Sequence, residues 1–572
     1  MDRVSKIGIV VCVLLLIGWF FHQKKQSEQA VPSRSEGTIT ISGAPSPGLT
    51  PPPATPAPVP DPEPAAEKKK TAGIEFTSGE DGAKPVETDL LSVRLSAEGG
   101  VVREVVLREN LAAGIRGLGK ENGDIALFRT DSPLSSLGWL GNITCLEMRV
   151  EEEGLIRRFS GTSRDGTFSV VKNYSFRPDS YLADLEIEVT NVSPEAVSLN
   201  SGIDLVCGTM HPIDPGDSLG VDVMTPHEVQ RKMDPGPETA AHVDWLALKT
   251  KYFAGIVKPV DEAGTGYRIK GRELEPAAEK AAFGCSRGAA ASRYQYLSAS
   301  MGFDDLNLGP GEKKVYKFVL YLGPANYDLL AAEGFGFEEV IDLGLLSPVC
   351  KAIIWLLNRL YGLIGSYGWA IILLTLIVKV VLWPLTHKSY KSMKEMQKLQ
   401  PKIKELKEKC KGDNKKLQEA TMKLYKEHGV NPMSGCLPML LQMPILFALF
   451  TALRNTILLR NAPFWIIPGK WIQNLSGPDH LATLPRSFPI IGNQVNILPL
   501  LMGLTFYLQQ KFTPQAPAAS DQAAQQQKMM ATLMPALFTL MFYTLPSGLN
   551  LYFTLSTIIT IVQQGAIARK SA

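Results

Sequence analysis

One lysine stands where the sequence is otherwise most apolar. Lys379 lies inside the run 363–386, and at about 1.5 Å of rise per residue it sits roughly 10 Å from the end of that helix. A lysine at the centre of a membrane span costs about 2.5–3.5 kcal/mol on insertion scales and indicates a functional site. The five apolar runs of the C-terminal third contain no Asp or Glu to pair with it. Lys379 therefore either reaches the lipid headgroups or faces a water-filled space between helices.

Other polar side chains could share such a space. Thr375 lies one turn before Lys379 on the same helix face, and the other apolar runs contribute Gln442, Gln509 and Asn550. For any one of these residues alone, a hydrogen bond between helices is the simpler interpretation.

The sequence lacks the motifs of hydrolytic and metal chemistry. It contains no H-E-x-x-H and no phosphate-binding G-x-x-x-x-G-K-[ST], and Ser366 and Ser434 have no G-x-S-x-G context. The central histidines, His211, His227 and His242, have no metal-ligand spacing. We therefore expect no enzyme, no metal and no cofactor. An ion-coupled solute transporter is the alternative function, although such coupling normally uses embedded carboxylates or histidines, which the apolar runs lack.

The N-terminal part of the chain predicts an anchor followed by a tether. Residues 1–26 carry Arg3 and Lys6 before a fifteen-residue apolar run, without a small-x-small cleavage site. This pattern favours an uncleaved signal-anchor helix over a removed signal peptide. Residues 27–71 form a linker with ten prolines between Pro45 and Pro64, which is typical of an extended segment.

Residues 72–342 predict an exported all-β sandwich. Apolar and polar residues alternate with a period of two, and turns such as Glu98-Gly99-Gly100 interrupt them about every ten residues. Seven cysteines scattered along 572 residues exclude a small disulfide-stapled scaffold. The sequence leaves open whether Cys145, Cys207 and Cys285 pair.

The C-terminal third predicts a polytopic helical membrane protein. An amphipathic helix at 347–362 suits the membrane interface. Together with the N-terminal anchor, five further helices give six spans, and a helical hairpin and two loops connect them. The predicted spans are 363–386, 431–455, 489–511, 528–545 and 547–568, the hairpin is 387–430, and the loops are 456–488 and 512–527.

Charge predicts the orientation of these spans. The hairpin holds thirteen lysines and six acidic residues, so the positive-inside rule places it in the cytoplasm, with both termini on that side and the β-domain outside. Four basic residues on the predicted external side, Arg454 and, in the loop 456–488, Arg460, Lys470 and Arg486, oppose this assignment weakly. The hairpin lysines Lys398, Lys402, Lys404 and Lys407 form a solvated face, or contact anionic lipids or ribosomal RNA.

Several ordered motifs resemble the YidC family of membrane-protein insertases. These are Thr375-Leu-Ile-Val-Lys379, Leu399-Gln-Pro-Lys-Ile-Lys-Glu-Leu, Lys423-Leu-Tyr-Lys-Glu-His-Gly-Val-Asn-Pro432, Gly435-Cys-Leu-Pro438, Gln442-Met-Pro444-Ile and Pro546-Ser-Gly-Leu-Asn-Leu-Tyr552. The resemblance covers residues 350–568 in this way, and the β-domain through Glu98-Gly-Gly and Trp245-Leu-Ala-Leu-Lys-Thr-Lys-Tyr252-Phe.

The resemblance implies an insertase and chaperone of the bacterial inner membrane, with a mutarotase-like periplasmic sandwich. It implies a hydrated groove, open to cytoplasm and lipid, in which Lys379 takes the place where many members carry arginine, with Thr375 and Tyr552 beside it. The implied partners are nascent membrane proteins, membrane lipids, the Sec translocon and, through cytoplasmic loops, the ribosome. It also implies that a monomer suffices. Because only four residues follow the last span, any ribosome contact must come from the hairpin or the internal loops.

Overall fold

The computed structural model describes most of the chain after residue 83, in thirteen stretches. They are residues 84–108, 125–130, 132–145, 147–200, 202–213, 217–232, 234–273, 294–410, 414–430, 437–464, 471–488, 492–513 and 521–570. The predicted anchor 1–26 and linker 27–71, and also Cys285, lie outside the described residues.

Two antiparallel sheets pack face to face and form the predicted sandwich. One sheet has the strand order β1-β2-β3-β4-β10-β17-β16-β13 and the other β12-β11-β14-β15-β19-β8-β7-β6-β5. A two-stranded sheet pairs β9 with β18. The strands are β1 Val86–Glu87, β2 Leu91–Ser96, β3 Val101–Leu107, β4 Ile125–Arg129, β5 Arg149–Glu153, β6 Ile156–Thr162, β7 Phe168–Phe176, β8 Leu182–Asn191, β9 Val197–Leu199, β10 Asp204–Met210, β11 Gly220–Met224, β12 Val229–Lys232, β13 Gly236–Val243, β14 Trp245–Lys249, β15 Phe253–Pro259, β16 Gly264–Glu273, β17 Tyr294–Gly302, β18 Leu306–Leu308 and β19 Lys313–Pro324.

A buried lysine fastens the Glu98-Gly99-Gly100 turn to the core of the sandwich. Lys172 points to the core face of β7 with 2% of its surface exposed, and its Nζ donates to the carbonyl oxygens of Gly99 (2.6 Å) and Gly138 (2.7 Å). Gly99 and Gly100 of the turn have positive φ angles, 76° and 55°, a backbone conformation that favours glycine. Burial lowers the pKa of Lys172 to about 8.

Within the described residues, nine α-helices come after the last strand of the sandwich in the chain. They are α1 Tyr327–Ala332, α2 Ser347–Ile364, α3 Tyr367–Lys398, α4 Gln400–Lys409, α5 Asn414–Glu427, α6 Leu437–Asn455, α7 Leu498–Phe512, α8 Asp521–Phe542 and α9 Ser547–Lys570. A hairpin of strands β20 Ala482–Phe488 and β21 Gly492–Val495 precedes α7. Pro348 occupies the first turn of α2, and Gly365 ends that helix with φ 73°.

Two helix starts lie later than the sequence prediction, and α8 starts earlier, at Asp521 within the predicted loop 512–527 and not at residue 528. In the segment predicted to span the membrane from residue 489, Gly492–Val495 forms β21 and pairs with β20, so the helix begins only at Leu498. The span predicted from residue 363 begins at Tyr367, after the left-handed Gly365, and continues to Lys398 without a break. Apolar composition located both segments but not their first residues.

Within the described residues, only part of the predicted membrane core consists of helices long and apolar enough to cross a bilayer. One helix, α3, is long and apolar enough to cross a bilayer, and Ala531–Phe542 of α8 is a shorter apolar helix. Large apolar side chains nevertheless remain exposed on the outer faces of α7, α8 and α9. They include Leu500, Leu504, Tyr507, Leu533, Leu537, Leu540, Met541, Ile558 and Val562.

The lysine-rich segment folds into helices α4 and α5 beside the end of α3. Their apolar side chains form a separate small core, made of Tyr390, Met393, Met396, Leu399, Ile403, Tyr425 and Val430. Pro401 does not lie within a continuous helix. The helix is interrupted at Leu399, and the proline lies in the first turn of α4. A backbone N–H in that turn has no partner within the helix, so its absence in proline loses no helical hydrogen bond.

Candidate functional site

Lys379 is buried between two long helices. It lies on α3, with 6% of its surface exposed, and its Nζ donates a hydrogen bond to the Thr560 Oγ1 of α9 (2.8 Å). No carboxylate accepts from it among the described residues. The lysine therefore points into the helix bundle, toward a neutral hydroxyl, and not out along the helix surface.

Thr560 belongs to a stripe of buried polar residues along α9. We call this the polar stripe, and its members are one to four residues apart and lie on one half of the helix. They are Asn550, Thr554, Ser556, Thr557, Thr560, Gln563 and Gln564. At 3.6 residues per turn, or about 100° per residue, these positions fall within roughly half of the helix circumference.

The hydroxyl protons of the stripe are used within α9 itself. Thr554, Thr557 and Thr560 each donate to the carbonyl oxygen four residues earlier, at 2.8 Å. A hydroxyl has one donor and two acceptor lone pairs, so donation along the helix leaves acceptor capacity facing its neighbours. The stripe therefore presents acceptors, and the Lys379 ammonium, which has three donors, occupies one of them.

Thr375 and Tyr552 are buried on the two helices that make this contact. Thr375 is fully buried one turn before Lys379, and its hydroxyl donates to the Ile371 carbonyl (2.7 Å). Tyr552 packs in the core of the helical region, edge-on to Phe553 at 5.6 Å between ring centres. Both residues belong to helices α3 and α9, which carry the Lys379–Thr560 pair, and their predicted groove roles stay predictions.

The other three predicted groove residues, Asn550, Gln442 and Gln509, are connected less directly with Lys379. The Asn550 amide donates to the carbonyl oxygens of Phe542 (3.2 Å) and Leu545 (3.4 Å), which closes the turn between α8 and α9. Gln442 of α6 and Gln509 of α7 are half-buried. Within the described residues, the one hydrogen bond found for the lysine ammonium goes to neither of them.

Sequence reasoning missed most of the polar stripe. The sequence analysis selected only Asn550, because single polar residues attract little notice in a helix that is apolar on average, and it missed Thr554, Ser556, Thr557, Thr560, Gln563 and Gln564. Gln564 Nε2 donates to Thr513 Oγ1 (2.9 Å), which ties the far end of the stripe to the residue after α7. The spacing of polar residues after Asn550 was the signal that could have identified the stripe.

The hairpin lysines lie mostly at the surface. Lys398, Lys402 and Lys404 are exposed, and Lys407 is half-buried. Lys402 Nζ approaches His428 Nε2 at 2.9 Å, which joins α4 to the end of α5. No cluster of three or more metal-binding side chains occurs in the described part of the chain.

Comparisons with known proteins match both regions of the chain. The family described as "YidC periplasmic domain" matches residues 84–356, and the family "60Kd inner membrane protein" matches residues 359–572. A protein of Geobacter metallireducens named "Membrane protein insertase YidC" is 31% identical over 601 residues, covering 100% of this chain and 99% of its own. One of the same name from Pelobacter propionicus is 37% identical over 422 residues, covering 71% and 70%.

A solved structure, described as an active YidC insertase with its first transmembrane domain resolved, is also similar. It is 20% identical, covers 84% of this chain and 91% of its own, and has a TM-score of 0.34. The match to two family models and the identity to full-length relatives agree with the motifs around Lys379 and Tyr552. The chain belongs to the YidC family of membrane protein insertases.

Proposed function

We propose that this insertase moves the short exported segment of a nascent membrane protein through a hydrated groove between α3 and α9. The observation that carries the proposal is the buried Lys379–Thr560 pair, an ammonium held by a neutral acceptor within the polar stripe. Polar groups at this position lower the cost of desolvating the exported segment, because they replace part of its water.

The apolar segment of the client supplies the driving force. It slides along the lipid-facing side of the groove and partitions into the bilayer, with a gain of about 0.8 kcal/mol for each methylene group that leaves water. A spanning segment contains many such groups, so this gain exceeds the cost of carrying a few polar residues past Lys379. The mechanism requires no nucleotide and forms no covalent intermediate.

A core of α3, α6, α7, α8 and α9 in the membrane forms this groove. The exposed apolar side chains on α7, α8 and α9 support the arrangement, because a soluble protein rarely leaves so many large apolar residues in contact with water. Aliphatic residues facing outward and the buried polar stripe of α9 give these helices the polarity expected when lipid is the surrounding solvent.

The family makes the chain an inner membrane protein with a periplasmic domain. Both termini face the cytoplasm, because the lysine-rich helices α4 and α5 are the most basic part of the chain. Those helices receive the client at the groove entrance and contact anionic lipid or the ribosome. The protein acts as a monomer, alone or beside the Sec translocon, and also assists folding of its clients.

A reconstituted system tests the proposal. The purified chain is placed in liposomes with a small single-span client, and insertion is measured as protection of the exported segment from added protease. We expect protected client with the insertase and little in empty liposomes of the same lipid. Equal protection in both would overturn the proposed function, and intact liposomes after the reaction, shown by a trapped dye, exclude leakage as the cause.

A further inference from the structure

A buried carboxylate lies at the start of α7, away from Lys379. Asp479 has 1% of its surface exposed, and its Oδ2 accepts three hydrogen bonds. The donors are the backbone N–H groups of Ile497 (2.8 Å) and Leu498 (2.8 Å) and the Trp471 indole Nε1–H (3.0 Å). A carboxylate is well suited to a helix N-terminus, where unpaired N–H groups and the helix dipole favour negative charge.

The segment that carries Asp479 is fastened to two other helix starts. We call residues 456–464 and 471–481 the cap segment. At α9, the Ser547 and Gly548 backbone N–H groups donate to carbonyl oxygens of the cap segment, at 2.6 Å to Gly477 and 2.9 Å to Leu475. The Ser547 hydroxyl adds a further bond, to the Asn474 carbonyl (2.9 Å).

The cap segment meets α3 through an aromatic contact. Phe464 packs against Gly368 so closely that a Cβ there would lie 2.0 Å from the phenylalanine ring. The same ring stands edge-on to Trp369, with 5.8 Å between ring centres. The cap segment thus joins the N-terminal ends of α3, α7 and α9. Lys379 lies twelve residues further along α3, which is roughly 18 Å below this end.

We infer that Asp479 is a positioning residue that holds the cap segment across the outer end of the groove. The bonds to α9 come from two backbone N–H groups and the Ser547 hydroxyl, and the contact with α3 is apolar. At α7, the Leu481 N–H donates to the Val495 carbonyl (3.0 Å) before the helix, and the first turn itself is held by one ionisable side chain, Asp479. Pro499 lies in the first turn of α7 and has no N–H, so Asp479 satisfies the two donors that precede it. Without its carboxylate, the Ile497 and Leu498 donors lose their acceptor, and α7 separates from the cap segment. The inference rests on the proposed function, since it concerns the same groove.

Access of a reagent to the groove from outside tests this inference without measuring insertion. Thr560→Cys serves as a reporter in the full-length protein, and a membrane-impermeant maleimide is added to the periplasmic side of right-side-out vesicles. The same protein without the reporter gives the background from its own cysteines. We expect slow labelling when Asp479 is present, and at least tenfold faster labelling from outside in Asp479→Ala. Asp479→Asn is the matched control, because its amide oxygen still accepts from α7, and it should stay within about threefold of the parent.

Equal labelling of the reporter in the parent and in Asp479→Ala would overturn the inference. If Asp479→Ala does not reach the membrane, Trp471→Phe takes its place, because it removes one of the three bonds and keeps the helix cap. That variant should label about threefold faster than the parent, and an unchanged rate would equally contradict the role of Asp479. Failure of the insertion assay with normal shielding of the reporter would instead count against the proposed function alone.

Discussion

Replacing Lys379 with glutamine removes its charge and retains much of its length and its ability to donate to Thr560. We expect the loss to depend on the charge of the client. Two single-span clients that differ only by Asp-to-Asn changes in the exported segment are therefore compared in liposomes. The acidic client should insert more slowly in Lys379→Gln, whereas the neutral client should change by less than about threefold, and Lys379→Arg should retain most activity on both because it keeps the positive charge.

The magnitude follows from the burial of the ammonium. Opposite unit charges about 6 Å apart attract by roughly 0.7 kcal/mol at a dielectric constant of about 80, and by roughly 2.8 kcal/mol at about 20, the effective value for partly buried sites. Lys379 is 6% exposed, which favours the second value. That energy corresponds to a factor of about 100 in rate, and water admitted with the client reduces it, so we expect about 10- to 100-fold.

Two outcomes would refute this reasoning. If Lys379→Gln inserts both clients as the parent does, the charge has no part in insertion. If both clients slow equally, the lysine serves the packing of α3 against α9 and does not act on the client. Thr560→Val distinguishes these roles further, because it removes the acceptor at 2.8 Å and leaves the charge in place. It should reduce insertion of both clients to the same extent.

Three further predictions concern packing, protonation and thiol chemistry. A Cβ at Gly503 would lie 1.9 Å from the Thr539 hydroxyl, so Gly503→Ala should destabilise the protein by about 1–3 kcal/mol in thermal unfolding, and Thr539→Ala in the same chain should restore most of this. Because the pKa of Lys172 is lowered to about 8, the cost of burying its charge, about 3 kcal/mol, is fully present below pH 8 and disappears as pH rises toward 10.5. Unfolding of Lys172→Met should therefore lack this rise in stability, and an identical pH profile would contradict the assignment. Cys145 and Cys207 are buried free thiols with pKa values raised by burial, so mass spectrometry should find them alkylated only after denaturation.

The sequence predicted the β-domain well because its strands alternate cleanly. In β7, for example, core-facing and outward positions alternate along all nine residues. Alternation of apolar and polar residues gave Lys172 no role, because a lysine is not expected at a core-facing position of a strand. Its acceptors, the carbonyl oxygens of Gly99 and Gly138, come from distant turns, and only the fold brings them to the lysine.

Helix starts were predicted less well than helix positions, for a physical reason. Hydropathy measures transfer from water, and it does not distinguish an apolar strand from the first turns of a helix. Residues 489–497 were therefore counted with the span that follows them, although Gly492–Val495 forms a strand. Gly492-Asn493 is a turn signal within that segment and favoured a later start at Leu498.

Two of the basic residues on the predicted external side, which seemed to oppose the predicted orientation, pack against aromatic rings. Arg460 is almost fully buried, and its guanidinium carbon lies 5.1 Å from the centre of the Phe253 ring in the β-domain. Arg454 lies over the Phe450 ring at 5.6 Å. A guanidinium that stacks on an aromatic ring contributes to packing as well as charge. The predicted orientation therefore depends on the density of lysines in the hairpin, because part of the opposing charge takes part in packing, and it stays a prediction.

The partner of Lys379 could not be predicted, because Thr560 lies 181 residues away and its hydroxyl looks unremarkable in an apolar helix. Its neutrality nevertheless agrees with the lack of acidic residues in the predicted spans. A carboxylate beside Lys379 would form a strong ion pair in a partly buried site, and a client would have to break that pair before it could use the charge. A hydroxyl whose proton is already donated to the Ser556 carbonyl holds the ammonium more weakly and leaves two of its three donors for water or client. The pairing with a neutral acceptor is therefore what keeps the charge available, and introducing an acid at Thr560 should inactivate the groove more than removing the hydroxyl does.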